Sequence, residues 1–95
     1  MKKFLILHYG FEPPTPEIMA EWNAWFEKVA DIVVEKGHLP AGSDISPSGI
    51  TQLPMASDSI TGYTMITAED LAQATEIAAA CPFILGTRVY EIMAG

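Results

Sequence analysis

Lys3 to Tyr9 reads Lys-Phe-Leu-Ile-Leu-His-Tyr, an apolar stretch of strand length bounded by Gly10 and ended by Glu12-Pro13-Pro14. The period then changes. Between Pro16 and Lys36, the residues Ile18, Trp22, Trp25, Phe26, Val29, Ile32 and Val33 share one arc of roughly 120° at 100° per residue. Glu17, Glu21, Glu27, Lys28, Asp31 and Glu35 occupy the other side. Thr15 suits the N-cap, Pro16 the first helical position and Gly37 the residue that closes the helix. A long amphipathic helix is therefore predicted over residues 16–36.

From Gly37 to Ser59 the pattern weakens, because Pro40, Gly42, Pro47, Gly49 and Pro54 leave little room for regular pairing. A short edge strand around Leu39–Ile45 is predicted, since proline is tolerated at edges, with the remainder a loop. Ile60 to Thr67 is rich in Thr, Ile and Tyr and reads as a strand. Thr67 is the expected N-cap of a second helix, with Asp70 at the capping-box position. Leu71, Ala74, Ile77, Ala78 and Cys81 share a face of that helix, and Pro82 stops it. Thr87 to Met93 is the last strand.

This order predicts a single α+β domain over residues 1–95, with a ferredoxin-like four-stranded antiparallel sheet and two helices on one face. A sheet covered on one side should alternate apolar and polar positions. These strands do not: Phe4, Leu5, Ile6 and Leu7 are apolar on both faces, as are Tyr63, Met65 and Ile66, and Val89, Tyr90, Ile92 and Met93. The uncovered face is expected to meet a second copy about a two-fold axis, giving a homodimer.

Composition narrows the function. Five basic against twelve acidic residues give a formal charge of -7, which disfavours nucleic acid and anionic membrane as partners. One cysteine cannot build a disulfide framework and fits a reducing compartment. No stretch approaches the ~20 apolar residues of a membrane span, and the expectation is a cytoplasmic protein. No phosphate loop, dinucleotide fingerprint or Ser-His-Asp order is visible, and no cofactor is expected.

Gly62-Tyr63-Thr64-Met65-Ile66, Glu69-Asp70-Leu71, Ala74 and Cys81-Pro82-Phe83, together with Lys3 to Leu7 and Glu35-Lys36-Gly37-His38-Leu39, resemble the YCII-related family, which includes the DGPF-type proteins. The resemblance implies a dimeric α+β barrel with a cavity and an enzymatic role that is mostly undefined. The chain departs from the family in two places. Ser48-Gly49-Ile50-Thr51 stands where the Asp-Gly-Pro-Phe tetrad would be, and the positions of the family's His and Asp hold Phe26 and Glu35. The family's catalytic pair does not carry over.

His8 is the candidate general base, since imidazole is the natural acid–base group near neutral pH. Alternation puts it on the face of Phe4 and Ile6, either in the dimer cavity or under the helices; a hydrogen-bonded structural histidine is the other reading. Tyr63, Arg88 and Glu91 are candidate ligand-binding groups, although Arg88 and Glu91 also read as an edge-strand charge pair. His38 reads as a helix-cap cation, and nothing in the spacing of His8, His38, Asp44 and Asp58 supports a metal site. Cys81, at the negative end of a helix, reads as a buried structural thiol. The expected function is cofactor-independent acid–base chemistry on a small organic molecule, against a non-catalytic small-ligand-binding or structural dimer.

Overall fold

The computed structural model describes residues 1–94. Its elements are β1 (Lys2–Tyr9), α1 (Pro16–Val29), β2 (Val33–His38), β3 (Gly42–Ser46), β4 (Gly49–Leu53), β5 (Ile60–Ala68), α2 (Leu71–Ala79) and β6 (Gly86–Ile92). Four strands form one antiparallel sheet in the order β2-β5-β1-β6, and β3 and β4 form a separate hairpin. With the hairpin set aside, this is the βαββαβ order and strand arrangement of a ferredoxin-like sheet.

α1 starts as its sequence dictates. The Thr15 hydroxyl accepts the Ile18 N–H at 3.2 Å, and Pro16 fills the first turn. It ends at Val29, however, short of the expected residue 36. Ile32, Val33 and Val34 are three β-branched residues in a row, which lose rotamer freedom in a helix and suit a pleated edge. They open β2 instead, with the Thr67 N–H bonded to the Ile32 carbonyl at 3.0 Å. Gly37 accordingly does not cap a helix. It lies in β2 opposite Tyr63, whose ring crosses it so closely that a Cβ would come within 2.7 Å of Tyr63 Cε1.

The predicted edge strand near Leu39–Ile45 is replaced by the β3–β4 hairpin, exposed along its whole length. Pro47 leads its turn and Gly49 takes φ 131°, the left-handed conformation that returns the chain. α2 also starts later than expected: Asp70, not Thr67, is the N-cap, and its carboxylate accepts the Gln73 N–H at 2.8 Å. Ala74 and Ala78 are fully buried and let α2 sit close on the sheet, while Leu71 is exposed.

The core is Phe4, Ile6, Trp25, Val29, Ile66, Ala68, Ala74, Ala78 and Cys81. α1 rests on large side chains, with Trp22 and Phe26 packed beside Trp25. Trp25 Nε1 donates to the Ile77 carbonyl at 3.1 Å, which ties α1 to α2 and satisfies a buried indole. Among the described residues no helix is long and apolar enough to cross a membrane.

Candidate functional site

β1 sends Phe4, Ile6 and His8 to the helix side of the sheet, where all three are buried. On β5 the same side takes Gly62, Thr64, Ile66 and Ala68. On β6 it takes Thr87, opposite His8, and Val89, opposite Ile6. His8 is therefore under the helices, the second of the two places its alternation allowed.

The imidazole is held at both nitrogens. Nε2 lies 2.9 Å from Thr64 Oγ1, and Nδ1 lies 3.3 Å from Thr87 Oγ1 and 4.0 Å from Cys81 Sγ. Thr87 donates its only hydroxyl proton to the Leu7 carbonyl at 2.9 Å, so toward His8 it accepts. The network thus assigns the proton to Nδ1 and leaves Nε2 as acceptor of the Thr64 O–H. Trp22 and Trp25 meet the ring edge-on, with centroids 5.0 and 5.9 Å away. Burial in this apolar box, without a facing carboxylate, pulls the His8 pKa from its ordinary 6.5 down to about 4. His8 is neutral at physiological pH.

Cys81 is buried beside it, and burial pushes the thiol up to about 11. The structural reading of this residue stands, with desolvation as the largest cause. An open groove of about 320 Å3 runs between α1 and the end of α2, lined by Glu21, Ala24, Trp25, Lys28, Ala80 and Pro82, and shares with the surroundings of His8 the Trp25 side chain alone. A second groove of about 240 Å3 shares Glu21 and Pro82 with it and continues along Phe83 and Ile84.

The other sequence candidates lie elsewhere. Tyr63 and Arg88 both pair with Leu7, on the uncovered side of the sheet, so the sheet itself separates them from His8. There Tyr63 donates to Glu35 Oε2 at 2.8 Å, and that bond raises the Tyr63 pKa. The Arg88 guanidinium lies 5.3 Å over the Tyr9 ring, and hydrogen bonding to Tyr90, then Tyr9, raises its pKa. Glu91 is on the side of His8 but opposite Phe4, four residues along the strand, or about 13 Å. It is exposed and does not touch the imidazole. Among the described residues no three His, Cys, Asp or Glu side chains converge as a metal site would require.

Sequence reasoning missed Thr64 and Thr87. Their signal was a hydroxyl at alternating positions on strands flanking a histidine, legible only once the register is known.

The fold and site define a small α+β protein with a ferredoxin-like sheet and a buried, neutral histidine beneath its two helices. The same fold occurs in the solved structure of 5-chloro-2-hydroxyhydroquinone dehydrochlorinase (TftG) from Burkholderia phenoliruptrix AC1100, in complex with 2,5-dihydroxybenzoquinone. The likeness has a TM-score of 0.61 at 16% identity and covers 98% of this chain and 95% of that one. No family model matches the chain, and no curated protein matches it in sequence.

Proposed function

We propose that this chain is a divergent YCII-type enzyme that acts on a small organic molecule by proton transfer, without a bound cofactor. His8 is its base and the helix side of the sheet its active site. The observation that carries this reading is the imidazole fixed at both nitrogens by Thr64 and Thr87. Its Nε2 is free of a proton at neutral pH, as a base requires. Support comes from the whole-length fold likeness to a dehydrochlorinase. Such a reaction sends a proton to a base, while chloride leaves with the C–Cl electron pair. Thr64, by rotating its hydroxyl, would yield Nε2 to the substrate proton. A substrate anion that reaches the imidazole would supply a counter-charge that no neighbouring side chain provides and raise the basicity of His8.

In the same reading the molecule is a homodimer, packed through the uncovered sheet face. Leu5, Leu7, Tyr9, Tyr63, Met65, Tyr90 and Ile92 lie there with no helix above them. This assigns Tyr63 and Arg88 to the interface and leaves Glu91 outside the site.

The test is release of chloride from 5-chloro-2-hydroxyhydroquinone. Turnover by the wild type, lost in His8→Ala and reduced ~10- to 100-fold in Thr64→Val, is expected. Absence of turnover together with absence of 2,5-dihydroxybenzoquinone binding removes the enzyme reading for this substrate class. The satisfied hydrogen bonds of His8 and its slight exposure, 8%, favour one second reading, in which it is a structural histidine of a non-catalytic dimer. That reading expects His8→Ala to lower stability while no hydroxylated aromatic binds.

A further inference from the structure

The uncovered sheet face is apolar except for a few charges, and their placement follows from the register. A β-bulge at Val34 breaks the alternation of β2: Val33 pairs with Ile66 on the helix side, yet Glu35 pairs with Met65 and lies on the uncovered side. Its hydrogen bond to Tyr63 confirms where the carboxylate points. Arg88 lies on the same face at the opposite edge, in β6, against the Tyr9 ring. The face thus has a carboxylate on one edge strand and a guanidinium on the other, with Tyr63, Met65, Leu5 and Leu7 between them. Lys3 is on this face too, at the far end of β1 opposite Thr67.

We infer that this face is self-complementary, and that in the dimer Glu35 of each copy pairs with the partner's Arg88. The inference rests on the homodimer reading above and adds its orientation. A two-fold axis running along the strands sets β2 of one copy over β6 of the other. Glu35 then stands over the row of Tyr90, one residue pair from Arg88, roughly 7 Å along the strand. Long Glu and Arg side chains together span the ~10 Å between packed sheets. An axis running across the strands would instead set Glu35 on Glu35 and Arg88 on Arg88, which like-charge repulsion disfavours. The chain is otherwise acidic, with a formal charge of -7, so a face that neutralises itself fits a second copy better than an acidic partner.

The two contacts are equivalent by symmetry, which gives a decisive test by sedimentation equilibrium on the full chain. Glu35→Arg and Arg88→Glu should each weaken the wild-type dimer at least 10-fold, because each places two like-charge pairs in the interface. Mixing the two variants should restore a dimer of near wild-type affinity, since every contact again joins opposite charges. Failure of the mixture to associate, or unaltered dimers in both single variants, overturns the pairing while the homodimer stands. A monomeric wild type at tens of micromolar overturns the homodimer itself. Circular dichroism on each variant shows that it is folded, and Leu5→Glu, which disrupts the same face at a position paired with Met65 and Tyr90 and with neither charged residue, should also yield monomer.

Discussion

At the scale of single residues, His8 is the group whose surroundings matter most. Its folded pKa of about 4 lies below the ordinary 6.5 because the ring is buried among Trp22, Trp25 and Cys81. The unfolded chain therefore binds a proton that the folded one refuses. Stability contributed by neutral His8 is complete above pH 6.5 and is lost progressively as pH falls from there through about 4. Thermal unfolding followed by circular dichroism should show this fall in the wild type and a shallower one in His8→Gln. An enzyme using His8 as base should hold its kcat/KM down to about pH 5 and lose it near 4, with no limb at 6.5. Thr64→Val leaves Nε2 without its donor and should cost about 1–3 kcal/mol in urea unfolding. The histidine itself was legible in the sequence as a candidate, but its face was not. Phe4-Leu5-Ile6-Leu7 is apolar on both sides, and in Tyr63-Thr64-Met65 the polar residue goes inward, because its hydroxyl has an imidazole to bond.

At the scale of elements, strand and helix order followed from periodicity, and the errors lay where local propensity and tertiary pairing compete. The arc of α1 continues through Ile32 and Val33, so hydrophobic spacing alone extends the helix. The β-branched run and a vacant edge on β5 convert that stretch into β2. The bulge at Val34 could not be foreseen, because it exists only in the pairing with β5. The caps are testable. Asp70→Ala should destabilise α2 by about 1 kcal/mol. Gly10 closes β1 with φ 103°, and a Cβ there would meet the Leu85 backbone nitrogen at 2.7 Å. Gly10→Ala combines that clash with a left-handed conformation and should cost about 2 kcal/mol or more in denaturant unfolding. It should also loosen the β1–β6 junction that holds His8 against Thr87.

At the scale of the whole molecule, the sheet separates two groups of side chains that the sequence candidates had placed together. The side beneath the helices holds His8, Thr64 and Thr87, and the uncovered side holds Tyr63, Glu35 and Arg88 on an apolar plane. Strand alternation with the observed register makes that division unavoidable, because Leu7 faces away from His8 and takes Tyr63 and Arg88 with it. The claim most directly exposed to experiment is that a small anionic molecule binds beside His8. An NMR titration of the His8 imidazole, with and without saturating 2,5-dihydroxybenzoquinone, tests it. The free protein should show a proton on Nδ1 and an apparent pKa near 4, and the ligand should raise that pKa by a unit or more, about 1.4 kcal/mol of interaction. An imidazole whose pKa and chemical shifts are unchanged at saturation would contradict the account.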